Sequence, residues 1–216
     1  MKSNSFFRAV LFDLDGVLIN SIEAHIHAWQ QVFSDFGLNL KPLEIKLREG
    51  EKAEVSLDFY RRKYGLKLTV KQKRALIERK RALYSQQAPA HLISEASKLI
   101  IKLKRKGFKI ALVTGSAVDN LKELMTGEEY DAFDILVTSS DYTRPKPHPQ
   151  CYLMALEKLK LAASDCIAVE NAPFGIQSAK SAGLKVIALT STLTKEYLCG
   201  ADWIVDDYSQ MGKLLF

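Results

Sequence analysis

The sequence predicts an α/β protein whose core is a doubly wound parallel sheet, with an α-helical cap domain inserted after the first strand. Short apolar runs alternate with helical stretches after Pro89, whereas residues 17–87 show helical periodicity and no convincing strand. Strands buried on both faces of a parallel sheet appear as continuous apolar runs. We therefore expect a discontinuous core domain over residues 1–16 and 88–216, and a helical cap domain over residues 17–87.

The first strand is predicted over residues 7–12, an apolar run that ends at Asp13. A helix follows from Ile22 to Phe36, with apolar residues at helical spacing and Gly37 as its stop. Further helical stretches fill residues 43–87.

After Pro89 the predicted elements alternate between helix and strand. A helix over residues 95–106 ends at Gly107. The later predicted elements are strand 108–113, a helix, strand 134–137, a helix beginning near Pro149, strand 166–169, helix 174–182, strand 185–189, strand 202–205 and a terminal helix.

The composition is that of a globular protein. Of the 216 residues, 47% are hydrophobic and 26% are charged, which permits a sizeable core and excludes disorder as the main state. No apolar run approaches the roughly 20 residues that span a bilayer, and the N terminus lacks the pattern of a signal peptide. The cysteines Cys151, Cys166 and Cys199 have no paired spacing, so we expect reduced thiols and a cytoplasmic protein.

The net charge of +6 has a single source along the chain. Residues 17–90 contain 14 Lys and Arg against 8 Asp and Glu, and the remaining residues balance. A nucleic-acid-binding protein has such a segment, and so does a lid over an anionic small molecule. The charge count by itself leaves both alternatives open, and a monomer is adequate for either.

Polar side chains follow four of the predicted strands. Asp13 and Asp15 follow the first, and Thr114 opens the turn Thr114-Gly115-Ser116 after the second. Lys146 lies in the loop after the third, and Glu170-Asn171 follows the fourth. Ligands of an open parallel sheet bind beyond the carboxyl ends of its strands, so we expect these side chains to share one pocket.

These residue types suit phosphoryl transfer with a magnesium ion. A carboxylate can attack phosphorus and form an aspartyl phosphate, and Mg²⁺ prefers carboxylate and carbonyl oxygens. The hydroxyl of Thr114 and the N–H groups that follow it can hold phosphate oxygens, and Lys146 supplies a compact positive charge. Asp15, two residues after Asp13, can protonate the leaving oxygen and then activate water.

The motifs FDLDGVL, LVTGS, RPKPHP and VENAPFGIQSAKSAG occur in this order, and His25-Ile26-His27-Ala28-Trp29 matches an HxxAW element. With these motifs the chain resembles the haloacid dehalogenase superfamily over essentially its full length. It is similar to the branch with a helical cap that includes beta-phosphoglucomutase and small sugar-phosphate phosphatases. The resemblance implies a phosphatase that acts on a small phosphorylated metabolite such as a sugar phosphate.

The resemblance also implies roles for individual residues. Asp13 is expected to be the nucleophile and Asp15 the general acid and base, with Thr114 and Lys146 on the transferring phosphoryl group. Mg²⁺ is expected to bind Asp13, the backbone carbonyl of Asp15, and the Glu170-Asn171 pair. The family usually has Asp where this chain has Asn171, so we expect metal binding weaker by about tenfold.

Five further residues are expected to contact substrate: Gly50, Gly115, Ser116, His25 and Lys80. For His25 the alternative is a structural role in the cap core, and for Lys80 it is a place on a solvated helix face. Asn20-Ser21 replaces the usual Asp-Ser or Asp-Thr of the family, which touches the hinge of the cap.

A phosphatase, a phosphomutase and a non-enzymatic binding protein remain as three hypotheses. A mutase needs a second anion site, and the mutase branch supplies it with a cap arginine and a Lys-Asn pair. Here Gly50-Glu51-Lys52-Ala53 contains no arginine, and Ala117-Val118 replaces the Lys-Asn pair. Lys52 or Lys80 could substitute, but the phosphatase is favoured. A DNA-binding protein of this fold would show steep salt dependence and release no phosphate.

Overall fold

The structure is a computed structural model that describes residues 7–87, 91–118, 121 and 124–216. The strands of the described residues are Ala9–Phe12 (β1), Lys109–Val113 (β2), Ile135–Val137 (β3), Cys166–Glu170 (β4), Lys185–Leu189 (β5) and Trp203–Val205 (β6). Each lies within two residues of a strand predicted from an apolar run.

The α-helices of the described residues are Ile22–Ser34 (α1), Pro42–Lys46 (α2), Ala53–Lys63 (α3), Val70–Ser85 (α4), Ser94–Arg105 (α5), Gly127–Asp131 (α6), Gln150–Leu159 (α7), Pro173–Ser181 (α8) and Tyr208–Leu215 (α9). Two short 3₁₀ helices cover Ala163–Asp165 and Lys195–Tyr197. The helix expected directly after β2 falls partly on residues 119–120 and 122–123, outside the described residues.

All six strands run parallel, in the order β3-β2-β1-β4-β5-β6. Phe12 at the end of β1 pairs with Leu112 on one side and with Val169 on the other. The connections turn to opposite sides of β1, so the crevice between β1 and β4 is the switch point where such sheets bind ligands. This confirms the predicted fold class.

Alternate residues of β1 enter two separate core layers. Val10 and Phe12 pack into the hydrophobic cluster that contains α5 and α9. Ala9 and Leu11 pack into the cluster on the opposite face, which contains α7 and α8. Successive side chains of a strand point to opposite faces, so helices cover the sheet on both sides.

The helices between β1 and β2 have a hydrophobic cluster of their own. Trp29 and Phe33 of α1 pack against Tyr60 of α3, with Trp29 and Tyr60 ring centroids 5.6 Å apart. Trp29 and Phe33 therefore belong to the hydrophobic core of this helical segment. Leu18 and Tyr84, near the two ends of the same segment, pack instead with the cluster of the sheet. The division at residues 16 and 88 stays a prediction, and residue 88 lies outside the described residues.

Two observations bear on the expected cellular setting. In the described part of the chain, no helix combines the length and the apolar character needed to cross a membrane. Cys151, Cys166 and Cys199 are free thiols, and the first two are buried.

Candidate active site

The carboxyl ends of β1, β2 and β4 bring the predicted residues together. The Asp13 backbone N–H donates to the Val169 carbonyl oxygen at 3.0 Å, and the Thr114 N–H donates to the Val137 oxygen at 2.9 Å. These bonds extend the ladder by one residue past each strand, so both side chains emerge at the edge where Glu170 ends β4. Parallel pairing thus gathers residues that lie far apart in sequence.

Lys146 lies at the centre of the cluster. Its Nζ donates to Asp13 Oδ1 and to Glu170 Oε1, each at 2.7 Å, and to the Val113 carbonyl at 3.2 Å. The Tyr152 hydroxyl donates to Glu170 Oε1 at 2.5 Å. Burial acts to lower the pKa of Lys146, but Asp13 and Glu170 outweigh it and hold the pKa well above its usual value. Lys146 is therefore a permanent cation in this site.

Asp13 lies in a buried cluster with an excess of negative charge. Its burial raises its pKa well above the usual value, with Lys146 acting in the opposite direction. Two carboxylates, Asp13 and Glu170, share one ammonium group. A further cation would balance the charge and keep Asp13 ionised.

Asn171 provides a test of whether a divalent cation fits here. Its Nδ2 donates to the Asp15 backbone oxygen at 2.9 Å and to Thr192 Oγ1 at 2.7 Å. Its Oδ1 is buried and has no hydrogen-bond partner. Buried polar atoms are rarely left unpaired, so this oxygen is free for a cation or a water. With the carboxylates of Asp13 and Glu170 it forms a set of hard oxygen donors, which fits Mg²⁺.

Three donors converge on one oxygen of Asp15. Its Oδ1 accepts from Ser21 Oγ at 2.6 Å and from Tyr84 OH at 2.9 Å, and it lies 3.0 Å from His25 Nε2. Ser116 Oγ lies 3.4 Å from the other oxygen. Burial acts to raise the pKa of Asp15, but His25 and these hydrogen bonds outweigh it and hold the pKa well below its usual range.

His25 connects Asp15 to Lys80. Lys80 Nζ lies 2.9 Å from His25 Nδ1, and an ammonium group can only donate. The Nδ1 atom therefore accepts, and the proton on Nε2 is the one donated to Asp15. Lys80 is 7% exposed and lines the cavity, so it does not belong to a solvated face.

The loop that holds Gly50 closes directly onto the strand ends. A Cβ on Gly115 would lie 3.2 Å from the Gly50 carbonyl oxygen, and Gly50 has a φ of +85°. Only residues without side chains allow the two backbones to approach so closely. Gly50, Gly115 and Ser116 line the cavity, as predicted for residues near the substrate. Thr114 is fully buried behind them, and its Oγ1 accepts from Ser116 N at 3.0 Å.

Comparison with known proteins agrees with this arrangement. The model of the haloacid dehalogenase-like hydrolase family matches residues 10–189, which include the carboxyl ends of β1, β2, β3 and β4. The chain belongs to the haloacid dehalogenase-like hydrolase family. It is an enzyme of that family's phosphoester hydrolase or phosphomutase type.

Two characterised relatives illustrate these two types. Validoxylamine A 7'-phosphate phosphatase of Streptomyces hygroscopicus subsp. limoneus is 29% identical over 95% of this chain and 96% of its own. Beta-phosphoglucomutase of Bacillus subtilis (strain 168) is 30% identical over 94% of this chain and 91% of its own. Among solved structures, beta-phosphoglucomutase from Clostridium difficile superposes with a TM-score of 0.83, at 25% identity over 95% of this chain and 93% of that one.

The cap of this haloacid dehalogenase-like chain contributes side chains that the sequence reasoning missed. A cavity of about 440 Å³ lies over Asp13 and Asp15, and Arg48, Glu49 and Glu51 form part of its wall. Burial raises the pKa of Glu49 and Glu51. These residues lie in a loop between α2 and α3, where no periodicity indicates which side chains turn inward.

Other residues that the sequence reasoning missed form hydrogen bonds to the predicted site residues. They are Ser21 and Tyr84 at Asp15, Tyr152 at Glu170, and Thr192 at Asn171. Tyr84 lies at the end of residues 78–84, a run that resembles a solvated helix face. The one signal that Tyr84 is buried was the occurrence of a tyrosine among charged residues. In the loop that holds Lys146, His148 accepts the Gln150 N–H at its Nδ1.

The positive excess of residues 17–90 does not surround the cavity. The described lining includes the carboxylates of Asp13, Asp15, Glu49, Glu51 and Glu54, against the cations of Arg48, Lys52, Lys80 and Arg81. Surplus cations such as Arg62, Lys67 and Lys71 lie on the outer surface of the cap. The charge count was therefore weak support for an anion-attracting lid. Unpaired cations remain hydrated on the surface, because burying them without partners costs free energy.

A second group of ligand-type atoms lies on the cap side of Asp15. One ligand atom each from Asp15, His25 and Glu49 falls within 4.8 Å of the others, a spacing that could hold a metal ion. This group shares only Asp15 with the predicted magnesium set. The acidic cluster of this haloacid dehalogenase-like enzyme could therefore bind a divalent metal ion.

Proposed function

We propose that this chain is a Mg²⁺-dependent phosphatase that hydrolyses a small phosphorylated metabolite, in particular a sugar phosphate, through an aspartyl phosphate on Asp13. One observation carries the proposal. Asp13 is held by Lys146 at the switch point of the sheet, and Asp15 with its His25 contact faces the same cavity. The names of the relatives, a phosphatase of a phosphorylated compound and a phosphoglucomutase, support this substrate class.

In the first proposed step, a carboxylate oxygen of Asp13 attacks phosphorus, and the bond from phosphorus to the leaving oxygen breaks. The leaving oxygen takes a proton from Asp15. Because Asp15 is an ionised acceptor of three hydrogen bonds in the structure, that proton first comes to it from His25 Nε2, 3.0 Å away. His25 Nδ1 takes a proton from Lys80 Nζ, 2.9 Å away, so His25 stays neutral and Lys80 loses its charge. Lys146 offsets the negative charge that builds up beside Asp13.

In the second proposed step, water attacks the phosphoryl group on Asp13. Asp15, now ionised, takes the proton of that water, and phosphate and free Asp13 result. The low pKa of Asp15, held down against its burial by His25 and the hydrogen bonds on Oδ1, keeps the carboxylate ionised and able to accept this proton.

The residues proposed to hold Mg²⁺ are Asp13, the Asp15 carbonyl, Glu170 and Asn171 through Oδ1. The unpaired Oδ1 supports the set, although the Asp15 carbonyl also accepts from Asn171 Nδ2. When bound, the ion neutralises charge between the phosphate and the carboxylates. We keep the expectation that Asn171, which brings no charge, gives weaker binding than the Asp of the family.

The alternative of a sugar phosphomutase has support from the phosphoglucomutase relatives. A mutase must hold a second phosphate in the cavity. Ala53 and Ala117 line the cavity, and they belong to the two stretches, Gly50-Glu51-Lys52-Ala53 and Ala117-Val118, that lack the cap arginine and the Lys-Asn pair of the mutase branch. Lys52 and Lys80, which could have substituted, already donate to backbone carbonyls and to His25. These contacts favour the phosphatase.

Further proposals concern the protein as a whole. Residues 17–87 act as the cap that closes over the substrate and excludes water. All residues of the site come from one chain, so a monomer suffices. The free thiols of the described residues suit the cytoplasm.

The proposal is tested by phosphate release from a panel of sugar phosphates, phosphoglycolate and nucleotides, with and without Mg²⁺. We expect Mg²⁺-dependent release and its loss, by about a thousandfold or more, in Asp13→Asn. Conversion of a sugar 1-phosphate to its 6-phosphate without net release of phosphate indicates the mutase instead. Wild-type rates in Asp13→Asn exclude Asp13 as the nucleophile.

A further inference from the structure

The cap side of the cavity presents carboxylates toward the leaving group. Glu49 is 8% exposed, and its Oε1 lies 3.8 Å from His25 Nε2, beyond hydrogen-bond distance. Glu51 accepts from Arg48 Nη2 and from Ser56 Oγ, the latter at 3.0 Å. Both glutamates line the cavity. Any leaving group that reaches this wall therefore meets two acidic side chains.

The cations of the described cavity wall are already engaged. Lys52 Nζ donates to the carbonyl oxygens of Ser139 and Tyr142 at 2.7 and 2.6 Å. Lys80 contacts His25, and its burial lowers its pKa to about 8. Arg81 pairs with Glu54 at the exposed rim.

Arg48 is also paired, to Glu51 at 2.6 Å, and its guanidinium lies 3.8 Å from the centre of the Phe59 ring. A second phosphate or a carboxylate would find no unpaired ammonium group among these side chains. It would also lie beside Glu49 and Glu51, and like charges at short range in a buried site repel strongly.

A hydroxyl group suits this wall better than an anion does. Arg48 Nε is buried and has no hydrogen-bond partner, so one donor is left over beside the Glu51 carboxylate. A hydroxyl can accept from that donor and give its own proton to a glutamate oxygen. A phosphate dianion or a carboxylate can only accept, so it cannot donate a hydrogen bond to either glutamate.

We propose that the leaving group of the substrate is neutral and polyhydroxylated, and that Arg48, Glu49 and Glu51 select it against leaving groups that carry a second anion. The inference rests on the proposed phosphatase function and specifies its substrate class. Arg48, Glu49 and Glu51 act by hydrogen bonding to hydroxyl groups away from the reacting phosphate.

The experiment compares kcat/KM at constant Mg²⁺ for four kinds of ester. Glucose 6-phosphate and sorbitol 6-phosphate are neutral and hydroxylated, phosphoglycolate carries a carboxylate, glucose 1,6-bisphosphate carries a second phosphate, and ethyl phosphate has no hydroxyl group. We expect the hydroxylated monoesters to exceed each of the other esters by about tenfold or more, as for one hydrogen bond to a charged group.

Variants connect this preference to the residues. In Glu51→Gln and in Glu49→Gln we expect the ratio of kcat/KM for glucose 6-phosphate over phosphoglycolate to fall about tenfold, because one repelling charge is removed. Glu78→Gln, on the exposed face of α4, is the matched control and keeps the wild-type ratio. Two glutamate variants are used so that a folding defect in one leaves the other to test the proposal.

The outcomes separate this inference from the proposed function. No phosphate release from any ester, ethyl phosphate included, overturns the phosphatase and the inference with it. Phosphate release with a preference for phosphoglycolate or the bisphosphate overturns only the inference, as do ratios that stay at the wild-type value in both glutamate variants. A clear preference for glucosamine 6-phosphate over glucose 6-phosphate overturns the neutral leaving group, since it points to a cationic one.

Discussion

Two contacts in series link a buried side chain of α4 to the reacting groups. Lys80 Nζ contacts His25 Nδ1, and His25 Nε2 contacts Asp15 Oδ1. His25 is thereby held in the tautomer that carries its proton toward Asp15. A side chain on α4 can in this way set the protonation state of a group that faces the substrate.

The pH dependence of activity tests this contact. Burial lowers the pKa of Lys80 to about 8, so the side chain loses its charge as pH rises through that value. Neutral Lys80 can also accept from His25, so the tautomer is no longer imposed, and we expect kcat/KM to fall on the alkaline side of about pH 8. In Lys80→Arg the guanidinium stays charged, and the alkaline limb moves to higher pH.

The measurement is the pH profile of kcat/KM for phosphate release in both proteins. Lys71→Arg, at the exposed start of the same helix, is the control and keeps the wild-type profile. If kcat/KM falls at the same alkaline pH in the wild type and in Lys80→Arg, the titration of Lys80 does not cause the fall.

At the scale of elements, the start of α8 is built to leave room for Glu170. A Cβ on Gly175 would overlap the Glu170 carboxylate. The helix therefore approaches the end of β4 as closely as a residue without a side chain allows. The carboxylate that Lys146 and Tyr152 hold is thus positioned from three sides.

Gly175→Ala is expected to displace the Glu170 carboxylate and to lower kcat about a hundredfold, since small misplacements in an active site have effects of that size. Mg²⁺-dependent phosphate release measures the loss, and a thermal melt of the same variant shows whether the fold persists. Gly127→Ala is the matched control, because a Cβ there meets nothing within 4 Å. Unchanged kcat in a folded Gly175→Ala argues against tight packing at Glu170.

At the scale of the whole molecule, one lysine is among the residues that join the cap to the core. Lys52 lies at the start of α3 and donates to two carbonyl oxygens, of Ser139 and Tyr142, in the loop after β3. Its Nζ also lies 4.5 Å from the centre of the Tyr142 ring. This single side chain therefore holds the cap against the loop that follows β3.

Lys52→Met keeps the length of the side chain and removes the ammonium group. We expect kcat/KM to fall about tenfold, because hydrogen bonds to a charged group are lost, and we expect faster hydrogen exchange over residues 49–53. Lys67→Met, on the exposed face of the cap, is the control and changes neither quantity. If hydrogen exchange over residues 49–53 of Lys52→Met proceeds at the wild-type rate, Lys52 does not hold the cap closed.

The sequence by itself determined the strands and the residues that follow them. An apolar run such as Ala9–Phe12 reports burial on both faces, and a parallel sheet brings every carboxyl end to one edge. Asp13 and Glu170 meet there because β1 and β4 are neighbours in the sheet, and the loop after β3 brings Lys146 to both of them.

Only the tertiary structure decided how the cap completes the site. Whether Lys80 faces solvent or Asp15, and where Arg48, Glu49 and Glu51 point, depends on packing between helices that are distant in sequence. Net charge, counted along the chain, could not separate cations on the outer surface from those paired around the cavity. Burial selects which charges are paired, and burial is a property of the folded chain rather than of any local pattern.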